Sequence, residues 1–105
     1  MNIEINREYE ELRVLMRLSS FNSQHTIVKD MNVAVGKVNY IVKVLVDKGF
    51  VKMGNFINEK DKSRYRYLLT KDGVDTKMRL VKKFVDIKKE EYERLEEELN
   101  KNDKQ

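Results

Sequence analysis

Residues 74–99 repeat apolar side chains at alternating steps of four and three positions, which is the period of a coiled coil. We call these positions the seam; all but one are apolar, and they are Val74, Met78, Val81, Val85, Lys88, Tyr92, Leu95 and Leu99. The spacing keeps one side of a long α-helix apolar. It predicts a helix over residues 71–100, which at about 1.5 Å per residue would be roughly 45 Å long.

Such a helix is longer than the rest of the chain needs for its own packing, because 105 residues give room for one domain. A helix stabilised only by Glu–Lys pairs within itself would leave Leu95 and Leu99 exposed to water. Contact with a second copy would bury both leucines, so the seam predicts a homodimer. In that dimer Lys88 is expected to set the register, or to pair with Glu91 or Glu96 of the second copy.

Three shorter helices are predicted ahead of the long one, over residues 4–19, 24–31 and 34–48. The apolar residues of the first share one side and are Ile5, Tyr9, Leu12, Leu15 and Met16. Those of the third recur at i, i+3, i+4 and i+7 and are Val38, Ile41, Val42 and Leu45. Gly49 is predicted to end the third helix, and a turn of about three residues separates it from the second.

A β-hairpin is predicted between the third helix and the long one. Residues 50–57 are rich in Phe, Val and Ile, and residues 64–69 alternate Arg with Tyr. The polar segment NEKDKS lies between them and is expected to form an extended tip. Thr70 is predicted to cap the long helix, although Gly73 could shift its start to residue 73.

Charge is distributed unevenly along the chain. Residues 1–89 hold 19 of the 22 Lys and Arg and 11 of the 18 acids, a net charge of +8. Residues 90–105 hold three bases and seven acids, a net charge of −4. A basic body with an acidic tail indicates a polyanionic partner, or equally a soluble surface that happens to be basic.

Several function classes have little support in the sequence. The chain has no cysteine and one histidine, His25, which argues against disulfides and against thiolate or histidine metal sites. It has no nucleophile motif and no phosphate-binding loop, so we predict neither an enzyme nor a cofactor. No apolar run reaches membrane-spanning length and the N-terminal segment is too acidic for a signal peptide, which predicts a cytoplasmic protein.

The predicted order of elements is that of a winged helix-turn-helix, a mainly α (α+β) fold with a three-helix core, a two-stranded wing and a long C-terminal dimerisation helix. Residues 1–70 would form the DNA-binding domain and residues 71–105 the dimerisation helix with a frayed tail. The helix 34–48 would then enter the major groove. Its outward residues suit that role, and they are Gly36, Lys37, Asn39, Tyr40 and Lys43.

Each outward residue has a chemical reason to face DNA. A small Gly36 allows close approach to the backbone, the two lysines suit phosphates or guanine edges, and Asn39 can pair with adenine. Tyr40 can donate to a phosphate or lie against a sugar or a thymine methyl group. The wing, residues 58–64, carries cations for phosphates or the minor groove, and these are Lys60, Lys62 and Arg64.

Two stretches carry a family resemblance, GKVNYIVKVLVDKGFVKMGNF (36–56) and YRYLLTKDGVDTKMRLVKKFVDIKKEEYERL (65–95). They closely resemble the small MarR-type regulators described as EPS-associated. The resemblance implies a winged-helix transcriptional regulator, normally dimeric, with recognition helix 34–48 and wing 58–64. The chain departs from the family pattern at Ala34, where a serine or threonine usually caps the helix, and in a wing that lacks a single tip arginine.

These observations together predict a dimeric, sequence-specific regulator that binds a pseudo-palindromic operator in double-stranded DNA and acts most simply as a repressor. The alternative is a winged-helix scaffold that docks other proteins through its long helix. Many MarR-type proteins respond to small ligands, but no convergent polar set in this sequence identifies an effector.

Overall fold

The computed structural model describes residues 3–19, 34–54 and 67–103. It contains three helices, α1 (Ile3–Leu18), α2 (Val35–Asp47) and α3 (Lys71–Asp103), and two strands, β1 (Val51–Met53) and β2 (Tyr67–Leu69). The strands pair antiparallel, with Val51 opposite Leu69 and Met53 opposite Tyr67. The predicted fold class is confirmed. The predicted helix 24–31 and the wing 58–64 lie outside the described residues.

One hydrophobic core joins all five elements. Its buried side chains are Leu12, Val14, Leu15, Leu18, Val38, Ile41, Val42, Leu45, Val51, Tyr67, Leu80 and Phe84. On α1 the buried stripe runs through Val14 and Leu18, which the sequence prediction omitted, whereas Met16 is 47% exposed. The assignment of Met16 to the core was wrong because one residue advances a helix by about 100°, which carries Met16 out of the Leu15 stripe.

The two ends of α2 are built differently. At its start Ala34 has extended backbone, with φ −61° and ψ 141°, and offers no side-chain hydrogen bond. At its end Gly49 adopts φ +80°, a left-handed conformation that costs glycine little. The Gly49 amide donates to the Val46 carbonyl at 3.0 Å and the Phe50 amide to the Leu45 carbonyl at 2.9 Å. This pair of bonds is the Schellman motif, and it confirms the predicted stop at Gly49.

Thr70 links the end of α2 to the start of α3. Its hydroxyl donates to the Gly49 carbonyl at 2.6 Å and accepts a hydrogen bond from the Gly73 amide at 3.0 Å. The second bond is the N-cap that the sequence predicted. The first ties that cap to the turn after α2, so the orientation of α2 is fixed partly through α3.

Gly73 is buried inside the first turn of α3, so the predicted start near Lys71 is confirmed and the alternative start at Gly73 is not observed. The helix begins at Lys71, and a β-carbon on Gly73 would collide with the carbonyl oxygen of Phe50. Glycine stands here because the α2–β1 turn packs directly against the helix backbone. The sequence alone does not reveal that close approach.

Gly73→Ala should therefore lower the free energy of unfolding by about 1–3 kcal/mol, the usual cost of overpacking a close contact. Urea unfolding followed by circular dichroism measures this change. Gly36→Ala is the matched control, because a β-carbon there meets no atom of residues 3–19, 34–54 and 67–103 within 4 Å. That variant should gain up to about 1 kcal/mol from helix propensity. Equal stability of Gly73→Ala and the parent would contradict the packing described here.

α3 presents two different apolar faces. One face packs on the domain through buried Leu80 and Phe84, and the Phe84 ring lies 4.8 Å from the Tyr9 ring. The seam lies about a quarter-turn around the helix from this core face. Apart from half-buried Val81, the seam is exposed, with Leu95 at 71% and Leu99 at 61%.

The second half of α3 leaves the domain. Every residue from Lys88 to Asn102 is exposed in the single chain. Over the described part of the chain, no helix combines the length and apolar character needed to cross a membrane. Exposed apolar patches such as the seam often mark sites where a protein contacts another molecule.

Candidate nucleic-acid interface

The surface of α2 divides sharply between a buried ridge and an exposed polar side. The ridge consists of Val38, Ile41, Val42 and Leu45, all buried against the core. The residues Gly36, Asn39, Tyr40 and Lys43, here called the outward strip, are all exposed. Valine is a poor helix former, so burial of this ridge is what holds α2 in place and leaves the other side free.

The outward strip has helical geometry. Gly36, Tyr40 and Lys43 recur at i, i+4 and i+7, and Asn39 lies along their edge. The Tyr40 side chain is 65% exposed, so its ring does not pack in the core and is available to another molecule. Within the described ranges Lys43 forms no ion pair. The strip therefore offers an amide, a phenol and a free cation on one surface.

Packing among the described residues does not explain Gly36. Within those ranges a β-carbon at this position would meet no atom within 4 Å, and glycine in a helix costs about 1 kcal/mol relative to alanine. A close approach by another molecule gives a physical reason for glycine here.

Lys37 lies on the flank of α2, about a quarter-turn from the outward strip. Its Nζ is 2.7 Å from Oε1 of Glu10 on α1, and its side chain is half exposed. Lys37 was predicted to be one of the outward residues of this helix, suited to a phosphate or a guanine edge. The structure pairs it within the chain, so a contact from Lys37 to a phosphate would require exchange or sharing of the Glu10 carboxylate.

A second ion pair holds the other end of α2. Lys48 Nζ lies 2.9 Å from Oε1 of Glu11 on α1, and the Glu11 side chain is buried. Sequence reasoning missed Glu10 and Glu11. The sequence did contain a signal for Glu11, because Glu11, Leu15 and Leu18 stand at i, i+4 and i+7 on the buried side of α1. A buried charge on that side needs a partner of opposite charge.

A groove of about 390 Å³ runs between α1 and α2 beside the outward strip. Ile3 and Ile41 contribute apolar lining, and the Glu10–Lys37 pair stands within it. Tyr40 lines the same groove, so its ring borders both this groove and the outward strip. The predicted wing residues Lys60, Lys62 and Arg64 lie outside the described residues.

The base of the wing is described, and it packs on the core. Tyr67 is buried on β2, while its partner across the ladder, Met53, is exposed. The buried tyrosine anchors the hairpin to the domain beside α2.

The fold matches solved regulators of the MarR type. Staphylococcus aureus MarR, in complex with salicylate and kanamycin, superposes with a TM-score of 0.67 over 82% of this chain and 57% of that one, at 12% identity. A mutant of Escherichia coli MarR complexed with operator DNA gives 0.57 over 68% and 51%, at 22% identity. A mutant of S. aureus MepR bound to an oligodeoxyribonucleotide gives 0.60 over 91% and 75%, at 19% identity.

This chain has the MarR-type fold. At these identities the likeness concerns the fold alone, and the chain spans about half to three quarters of the length of those proteins. No protein-family model matches the sequence, and no curated protein does so either. The exopolysaccharide-associated subgroup therefore stays a prediction of the sequence, while the likeness to the MarR-type fold is an observation.

Proposed function

We propose that this protein is a homodimeric transcriptional regulator that binds double-stranded DNA in a sequence-specific manner. The observation that carries the proposal is the division of α2, whose valine-rich ridge is buried while its amide, phenol and lysine face outward. In helix-turn-helix proteins the second helix of the pair enters the major groove with its N-terminal residues toward the bases. The outward strip occupies that end of α2.

Each residue of the outward strip has a distinct task. Asn39 has the bidentate amide that pairs with the N6 and N7 edge of adenine. Lys43, which has no partner within the described ranges, suits a phosphate or a guanine edge. Gly36 allows the helix start to approach the sugar-phosphate backbone. Tyr40 donates to a phosphate or packs on a thymine methyl group.

Two further parts of the chain complete the proposed interface. The wing, residues 58–64, would contact the backbone or the minor groove through Lys60, Lys62 and Arg64. The C-terminal unit, residues 71–105, would join two copies through the seam. Two recognition helices spaced one turn of DNA apart read a pseudo-palindromic operator. A dimer bound across a promoter would act most simply as a repressor.

One observation favours a second candidate function. The seam beyond Lys88 stands clear of the domain and carries Tyr92, Leu95 and Leu99 on an exposed helix. An amphipathic helix of this kind can also dock into a groove of an unrelated protein. In that case the chain would be a winged-helix scaffold, and DNA binding would be absent.

Salt dependence separates the two candidates. Fluorescence anisotropy with a random-sequence duplex should show binding at low salt that weakens steeply as salt rises, because each neutralised phosphate releases counterions. If the dimer neutralises six or more phosphates, affinity should fall by roughly 10³ or more between about 50 and 200 mM salt. Absence of binding at low salt would contradict the DNA function and favour the scaffold.

Lys43→Gln sharpens this experiment. If Lys43 contacts one phosphate in each copy of the dimer, the logarithmic salt slope should fall in magnitude by about two. Lys101→Gln removes the same charge from the far end of α3 and should leave the slope unchanged.

A further inference from the structure

We propose that two copies of α3 pair antiparallel through the seam, with the two-fold axis between Asp86 and Ile87. This inference rests on the proposed function, since it specifies the dimer on which that function depends. The surface is the exposed apolar face of α3, and its occupant is a second copy of the same face. Three features of α3 support the orientation: the symmetry of the seam, the position of Lys88 and the charges of its two halves.

The seam reads the same from both ends. Its steps of four and three are arranged symmetrically about the point between residues 86 and 87. In an antiparallel pair every seam residue therefore meets another seam residue over the full length. The resulting layers pair Val74 with Leu99, Met78 with Leu95, Val81 with Tyr92 and Val85 with Lys88 of the second copy. No apolar seam residue is left without a layer.

Lys88 distinguishes the two orientations. In a parallel pair each Lys88 would meet Lys88 of the second copy inside the apolar contact, where like charges are costly. In the antiparallel pair it meets Val85 instead. Within its own chain the Lys88 Nζ lies 3.7 Å from Glu91 Oε2 and 5.0 Å from the centre of the Tyr9 ring. The ammonium is thus held at the edge of the seam, where its stem can cover a valine.

The charges of α3 are strongly polarised along its length. Residues 71–89 hold seven bases and three acids, a net charge of +4, and residues 90–103 hold two bases and seven acids, a net charge of −5. Antiparallel pairing places each basic half beside an acidic half, and Lys77 comes beside Glu98 of the second copy. Two other flanking pairs bring like charges together, Lys82 with Lys89 near the axis and Asp75 with Glu96. The favourable term is therefore the attraction between whole halves of net charge +4 and −5.

Parallel pairing would align the acidic halves with each other. Six glutamates lie between residues 90 and 98, and packed helix axes are about 8–10 Å apart, comparable to the screening length in physiological salt. Repulsion would therefore act along the whole exposed half of the helix. Charge and seam symmetry both favour the antiparallel pair.

Cysteine cross-linking tests the orientation directly, because the chain has no native cysteine. The variants are Met78→Cys, Leu95→Cys and the two changes combined, each oxidised with diamide and examined by non-reducing electrophoresis. Antiparallel pairing brings residue 78 next to residue 95 of the second copy, within disulfide range. The two copies of residue 78 would stand about 25 Å apart along the helices. The double variant should form covalent dimers at least tenfold faster than either single variant.

The outcomes separate the orientation from the dimer itself. Rapid cross-linking of both single variants would show parallel pairing and overturn this inference alone. A parent protein that sediments as a dimer while none of the variants cross-links would overturn the seam as the interface. A parent that sediments as a monomer at micromolar concentration would overturn the dimer in the proposed function as well. DNA affinity is read separately by the salt titration, so failure of DNA binding is not confused with any of these results.

Discussion

Replacement of both Leu95 and Leu99 by glutamate should convert the proposed dimer into a monomer. The exchange removes two large apolar side chains from each copy and places four carboxylates in the apolar contact. Loss of the buried leucines and burial of charge each cost several kcal/mol. Together they should weaken dimerisation by about 5 kcal/mol or more, a factor of at least 10³ in the dissociation constant. Sedimentation equilibrium measures that constant.

The same variant should lose high-affinity binding to a two-site duplex, since each winged unit would then bind alone. The matched control is Arg94→Gln with Lys101→Gln, which lowers the charge of each chain by the same two units on the opposite side of α3. Arg94 makes an exposed pair with Glu90 at 2.6 Å, so its loss should cost no more than about 0.5 kcal/mol. An intact dimer in the leucine double variant would place the interface elsewhere, with α1 as the next candidate.

The second large effect is expected at the outward strip. Asn39→Ala should abolish discrimination between a selected operator and unrelated DNA. Loss of one bidentate base contact costs about 1–3 kcal/mol, and a dimer loses two such contacts, so the preferred site should weaken by roughly 2–6 kcal/mol. Binding to unrelated DNA should change little, because it depends on phosphate contacts. Competition titrations after selection from a random duplex pool give both affinities.

Asn100→Ala is the control for this measurement, since it removes the same amide from the exposed end of α3. It should leave both affinities unchanged. If Asn39→Ala retained the full preference for the selected site, the reading surface would have to lie elsewhere on the domain.

The elements that were predicted correctly are those whose signals lie close together in the sequence. The Val38–Leu45 stripe has a helical period, Gly49 provides a left-handed stop, and Thr70 precedes a helix whose third amide it accepts. Each of these signals is complete within a few residues of chain, so no knowledge of distant packing was needed. The division of α2 into buried and exposed sides followed from the same stripe.

The features that were missed depend on residues far apart in the sequence. The pairing of Lys37 with Glu10 joins α2 to α1, and nothing near Lys37 in the sequence indicates it. Gly73 looked out of place so early in a helix. Its reason is the nearby Phe50 carbonyl, which only the folded turn brings close to it. Met16 was placed in the core because α1 carries apolar residues on more than one side. Tertiary contacts decided the cases of Lys37 and Gly73, whereas the helical period carries Met16 out of the buried stripe.

The angle between the two faces of α3 has a consequence for how a dimer could meet DNA. The domain is attached to α3 about a quarter-turn from the seam. It therefore projects to one side of the plane that contains the two paired copies of α3. When the second helix runs in the opposite direction, the rotation that relates the copies preserves that side. Both winged units then project the same way, and one straight duplex can lie across them. Helices running in the same direction would send the two units to opposite sides of that plane, and a duplex could then reach both only by crossing the end of the helix pair.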